Sequence, residues 1–187
     1  MGSLFSIWFF VLFQWNSYPV TIPAIEVNAQ SLVLHPIEGK WYYDEKLFSG
    51  YSISTFANGK VFEKISYYQG KKEGLSQKWD TEGNLRYQAN FTANKRHGKV
   101  KVWSEKGVLM AESNFKYGVV DGVQRKWYPS GKLFKKTHIK NGKEEGIQQT
   151  WWENGKLYVN YEAKNGRIFG MKRSTLCYEL ANEDVKK

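Results

Sequence analysis

Apolar positions along this chain repeat on two scales, every second residue within short runs and every 24th residue between runs. Leu85, Tyr87, Ala89 and Phe91 alternate with Arg86, Gln88 and Asn90, as expected of an antiparallel strand with one face buried and one in water. The same offsets return as Leu109, Ala111, Ser113 and Phe115. Three further columns keep the 24-residue step: Trp79, Trp103, Trp127 and Trp151; Val61, Leu85, Leu109, Leu133 and Leu157; and Tyr67, Phe91, Phe115 and Ile139.

Glycine punctuates the same period. Gly50, Gly74, Gly98, Gly122, Gly146 and Gly170 form one series, and Gly59, Gly83, Gly107, Gly131 and Gly155 a second. A third reads Gly70, Asn94, Gly118, Gly142 and Gly166, the exception being the other residue that tolerates positive φ. Each unit therefore predicts two strands of about six residues. A tight turn at Asn58-Gly59 and its equivalents has the X-Gly chemistry of primed hairpin turns. A longer surface connection such as Gln69 to Gly74 closes the unit. Stacked hairpins of this kind give an all-β fold, an elongated antiparallel meander of about five repeats and about ten strands, twisted or curled, with caps at its ends.

Outside the array, over 50–170, the register fades. Residues 30–49 predict an N-terminal cap, because Trp41, Tyr43 and Phe48 fall near the repeat register after a Leu32-Val33-Leu34 strand. Residues 171–187 predict a C-terminal cap with a polar tail. The run from Leu4 to Trp15 is apolar but shorter than the ~20 residues that span a bilayer. With the small-x-small triplet Val27-Asn28-Ala29 behind it, it reads as a signal peptide over 1–29, the alternative being a retained membrane-anchoring segment. Export to the periplasm, the envelope or the medium of a bacterial cell is the expectation.

Composition narrows function more than fold. Twenty-eight Lys and Arg against eighteen Asp and Glu leave a net charge of +10, a statement about solubility and anionic partners. The single cysteine, Cys177, rules out an internal disulfide framework and a Cys-based zinc site. Catalytic patterns dissolve into the columns. His97 shares its position with Glu73, Asp121 and Glu145, where a polar residue precedes glycine, and His138 shares an outward-facing column with Ser66, Asn90, Asn114 and Glu162. Ser113 and Lys116 match the Ser-x-x-Lys of some acyl enzymes, yet Ser113 aligns with Ile65, Ala89, Thr137 and Tyr161, a packing position. Gly-Lys pairs sit in β-turns, not ahead of a helix, so they build no phosphate loop. We expect no catalytic residues, no metal and no cofactor. The candidate partner-binding residues are Trp79, Trp103, Trp127 and Trp151 with the strand cations Lys101 and Arg125. A single sheet with no helix to cover it must either curl until its Trp, Leu and Phe columns pack together or leave part of the aromatic stripe for a partner. A second basic group, Lys71, Lys72, Lys95, Arg96, Lys143 and Arg167, collects at the longer turns.

The segments Lys140-Asn-Gly-Lys-Glu-Glu-Gly-Ile147 and Trp151-Trp-Glu-Asn-Gly-Lys-Leu157 resemble MORN repeats, in the bacterial variant found in the antitoxin-like family often labelled YwqK. The likeness covers about residues 41–171. It departs from the standard MORN pattern where Leu75-Ser76 follows Gly74 in place of a close Gly-x-Gly pair. The resemblance implies an elongated β array used for binding. The resulting expectation is a non-enzymatic protein-binding or scaffold module, with an antitoxin- or immunity-like role as the form that the resemblance to that family implies. The alternative is a peripheral module on anionic lipid or polysaccharide at the envelope, and nucleic acid is not an expected partner.

Overall fold

The computed structural model describes residues 20–171. The Leu4–Trp15 run, Cys177 and the expected C-terminal cap lie outside the described residues. Sixteen strands and one 3-10 turn make up the described fold. A short N-terminal group comprises β1 (Glu26–Asn28), β2 (Val33–His35), β3 (Lys40–Tyr43) and β4 (Lys46–Leu47). The array follows as β5 (Gly50–Thr55), β6 (Val61–Tyr68), β7 (Lys71–Trp79), β8 (Leu85–Thr92), β9 (Lys95–Trp103) and β10 (Leu109–Lys116). It continues through β11 (Val119–Val120), β12 (Gly122–Trp127), β13 (Leu133–Lys140), β14 (Lys143–Trp151), β15 (Leu157–Lys164) and β16 (Arg167–Met171).

From β5 to β16 each strand pairs with its sequence neighbour, apart from the short β11, which pairs only with β10 while β12 pairs β10 directly. The sheet is thirteen-stranded and mixed, because β1 adds to β5 in parallel. A separate three-stranded sheet holds β2, β3 and β4. No helix among the described residues is long and apolar enough to cross a membrane.

The two turns of the repeat exchange the roles the glycine pattern suggested. The connection expected to be long is the two-residue hairpin. Gln69 and Gly70 both have positive φ (48° and 77°) and Tyr68 pairs with Lys71, so this is the primed turn that matches strand twist. The Asn58-Gly59 turn has positive φ only at the glycine. There Gly59 N donates to Phe56 O at 2.9 Å and Phe56 N to Lys60 O at 2.8 Å, a type I turn closed by a left-handed residue and a bulge. That bulge shifts the register between Ser54 and Thr55, and again before Trp79, Trp127 and Trp151.

The Gly74 series marks a second bulge inside the strands. Tyr67 pairs with Lys72 and Ile65 with Ser76, so three residues of β7 face the single Ser66 of β6. The Ser66 hydroxyl lies 2.5 Å from Glu73 O and 2.7 Å from Leu75 O. Gly74 has φ +79°, and a Cβ there would sit 3.1 Å from the Ser66 oxygen. In later repeats Asn114 Nδ2 donates to Val123 O, and Gln148 Nε2 bridges His138 O and Gly146 O at 2.7 and 3.2 Å. Ser66 and Asn114 thus close bulges with their own side chains and Gln148 does so opposite His138, and the column is not simply outward-facing, since Ser66 is buried and Asn114 and His138 are half-buried.

Repeats are tied along the rim of the primed turns. The amides of Gly70, Asn94, Gly118 and Gly142 donate to the carbonyls of Phe48, Lys72, Arg96 and Val120 at 2.7–3.0 Å. In the column one residue after these carbonyls, four side chains accept from the first turn residue of the next repeat: Ser49 from Gln69 N (2.8 Å), Glu73 from Ala93 N (2.8 Å), Asp121 from Asn141 N (2.9 Å) and Glu145 from Asn165 N (3.3 Å). His97 occupies this column in one repeat, where its buried Nδ1 has no hydrogen-bond partner and its ring lies 4.7 Å from that of Tyr117.

Residues 30–49 form a layer folded onto the sheet. The Asp44-Glu45 turn, with positive φ at both residues, joins β3 to β4 within the separate sheet. Leu32 and Phe48 then bury against Ile65 and Tyr67, with Val27 and Trp41 at the margin. Trp41 N donates to Gly70 O at 2.7 Å. Around Ala29, β1 ends at Asn28 and the 3-10 turn runs over Ala29–Ser31.

Candidate interaction surfaces

Register assigns each column to a face. Ile65, Ser76, Ala89 and Val100 are opposite one another in successive strands and so share one face, here called the cap face. Tyr67, Phe91, Phe115 and Ile139 lie on it one pair further toward the primed turns. At the first repeat the cap covers this row. Tyr67 is 2% exposed, with Phe48 at 5.7 Å and Trp41 at 6.0 Å between ring centroids, and burial pushes its hydroxyl pKa up.

One column, the lid column, supplies the cover in three successive repeats. Phe48 lies on Tyr67; 24 residues on, Lys72 Nζ sits 5.6 Å over the Phe91 ring, and in the next repeat the Arg96 guanidinium sits 5.5 Å over Phe115. A long cationic side chain can lay its stem on apolar surface while its head stays wet and attracts the ring. Phe91, Phe115 and Ile139 are nevertheless only half-buried, and Val102 on the same face is 38% exposed. Lys72 and Arg96, expected in a solvated basic cluster, are thus partly engaged on aromatic rings.

The opposite face carries a polar row. Lys64, Gln77, Gln88 and Lys101 are opposite one another in β6 to β9, and the row continues through Glu112, Arg125, Lys136 and Gln149. Glu112 is 8% exposed and holds Arg125 Nη1 at 3.3 Å, Lys99 Nζ at 3.5 Å and Lys101 Nζ at 3.9 Å. Lys64 pairs with Glu26 of β1 at 2.5 Å. Two of the sequence-selected residues, Lys101 and Arg125, thus flank one shared carboxylate.

The tryptophans belong to this polar face. Trp79 lines a hollow of about 520 Å³ with Ile53, Val61 and Lys64, and Trp103, Trp127 and Trp151 occupy the equivalent positions before the same bulge. All four are half-buried. The Trp and Phe columns therefore lie on opposite faces and do not pack on one another as the curled-sheet expectation required, because the sheet stays open and the strands alternate through it. Beyond the bulged turns, rings pair locally, Phe56 with Phe62, Tyr128 with Phe134 and Trp152 with Tyr158.

Ser113 is half-buried opposite Val100, and Lys116 is exposed at the far end of β10. No group of three His, Cys, Asp or Glu side chains converges among the described residues. Sequence reasoning missed the acceptor column at 49, 73, 97, 121 and 145, whose polarity is readable but whose target lies twenty residues downstream. It also missed the lid column, whose Phe, Lys, Arg and Val chemistry hides a shared position.

The family model of the MORN repeat variant matches residues 72–93, 96–117, 120–141 and 144–165. Each match begins at the lid position and ends on the first residue of the primed turn, so the matched unit is the hairpin of the structure. The family model thus hits four tandem repeats, and MORN repeats are in general protein- or membrane-lipid-binding modules. No curated protein matches the chain significantly.

Proposed function

We propose that this array of MORN-variant repeats is a non-enzymatic protein-binding or scaffold module whose partner packs on the cap face. The observation that carries this reading is the contrast within one column. Tyr67 is buried beneath a second β layer, while its equivalents Phe91 and Phe115 carry single cationic side chains, Lys72 and Arg96, and, like Ile139, stay half-buried. A repeat cannot bury its own apolar face, so the layer supplied in cis over the first repeat models one supplied in trans over the next three. An immunity- or antitoxin-like role, in which the array masks a protein, is the form suggested by the resemblance to the YwqK family. Export belongs to the same proposal, with any processing upstream of Val20 so that β1 is kept.

The test is affinity capture from the native extract with the full chain and with Phe91→Glu/Phe115→Glu, both verified as folded by circular dichroism. A protein retained by the parent and lost by the variant supports the reading. An identical set of retained proteins contradicts it.

A further inference from the structure

The polar face poses a separate question, because its charges are poorly explained by folding alone. From Gly122 to Lys143 the chain holds seven Lys or Arg and no Asp or Glu. Within this hairpin Arg125 is directly opposite Lys136, and on the other face Lys126 is opposite Lys135. Like charges in directly opposite positions destabilise a sheet. Of these four, only Arg125 has a carboxylate within 4 Å among the described residues, and Glu112 is shared by three cations. The row therefore keeps an excess of positive charge.

We propose that the row Gln88, Lys101, Glu112, Arg125, Lys136 and Gln149 is a binding track for an anionic polysaccharide of the polyuronate class. Glu112 is the organiser of the site. Buried and shared, it fixes Lys101 and Arg125 on the sheet before a ligand arrives, which lowers the ordering cost of binding. The Arg125 guanidinium has five donors in a planar fork suited to a sugar carboxylate, and its contact with Glu112 uses only one arm. Gln88 and Gln149 bracket the cations with amides that both donate and accept, the chemistry needed for hydroxyl groups. Trp103 and Trp127 border the row on the same face, two strands apart in the sheet, or about 9.6 Å at ordinary strand spacing. That pitch places a ring against every second sugar of an extended chain.

Other polyanions fit less well. A single-stranded nucleic acid favours continuous aromatic platforms beside a cationic groove, whereas here Trp103 and Trp127 stand two strands apart. A lipid surface would engage a rim, and these cations run across the middle of a sheet.

The test is titration of the full chain with octagalacturonate, alongside neutral maltooctaose, oligo-dT and phosphatidylglycerol vesicles. Octagalacturonate should bind with an affinity that falls as salt rises, and Lys101→Gln/Lys136→Gln should weaken it about tenfold, the size expected for losing charge-assisted contacts. Lys126→Gln/Lys135→Gln removes the same charge from the cap face and should leave binding within about twofold. Lys136→Gln alone, with no acid within 4 Å among the described residues, gives the same direction if the double variant is destabilised. Absence of octagalacturonate binding, equal losses from the two double variants, or tighter binding of oligo-dT or vesicles would overturn the proposal. The cap-face capture experiment is independent of each outcome.

Discussion

The first and last hairpins of the array are built to one plan and end in opposite states. At the first, the primed turn is buried in contacts: Gly70 N donates to Phe48 O, Gly70 O accepts from Trp41 N, and Tyr67 packs beneath the cap. At the last, the equivalent Gly166 has nothing within 4 Å of where a Cβ would stand, and Ile168 and Phe169 are about half exposed. A hairpin in this fold is therefore not a stable object with fixed burial. Its stability comes from what lies on its cap face, as expected when each repeat contacts only its neighbours.

The largest effect should come from removing the cap's anchor. Phe48→Ala should cost about 3–5 kcal/mol in urea unfolding, as for a fully buried aromatic, while Phe115→Ala, whose ring is half-buried under Arg96, should cost about 1–1.5 kcal/mol. Equal losses would break the contrast. Next come the two turn glycines. Gly70→Ala adds about 1–3 kcal/mol of left-handed strain and drives its Cβ to 2.9 Å from Trp41 O and Leu47 Cδ2, so the cap should undock. Gly166→Ala carries the strain alone, and thermal unfolding of the pair should separate the two contributions.

A smaller gain is expected within the array. His97→Glu restores the carboxylate that Glu73, Asp121 and Glu145 use to accept a turn amide. It should stabilise the chain by about 0.5–1.5 kcal/mol, seen as a raised urea midpoint with an unchanged slope. The smallest effect is a pH dependence of the final hairpin. Burial, followed by the hydrogen bond to Glu144, pushes the Tyr161 hydroxyl up to about 12. A raised pKa favours the neutral folded form, so this contribution is complete below about pH 10 and is lost as pH rises toward 12. Protection of β15 and β16 should fall across that window, and Tyr161→Phe should remove the dependence.

Much of this architecture was legible because the 24-residue period is written in side chains that recur by type, and the glycine columns fixed where the chain must turn. Turn types were not legible. Asn-Gly chemistry serves both a primed turn and the left-handed residue of a bulged one, while Gln69, Ala93 and Tyr117 take positive φ under tertiary constraint that no propensity announces. The bulges also hid the faces, since a register shift between Lys78 and Trp79 breaks the simple count that would relate tryptophan to phenylalanine. Glu26-Val27-Asn28 carried no strand pattern at all. Its place in the sheet is set by Gly50, where a Cβ would lie 2.5 Å from Ile25 O, and by the bond from Tyr51 N to that carbonyl. Of the interaction surfaces, the tryptophans and strand cations were visible as columns. Glu112 gathering three cations was not, because its partners lie on strands whose register the sequence leaves unwritten.

Native-state hydrogen exchange, resolved by residue, measures the graded array most directly. Protection should be greatest at the Trp41 and Gly70 amides, which lock the cap to the first hairpin, and should decline through Gly118 and Gly142 to the amides of β16. A single uniform protection free energy from β5 to β16, or a maximum in the last hairpin, would contradict the account.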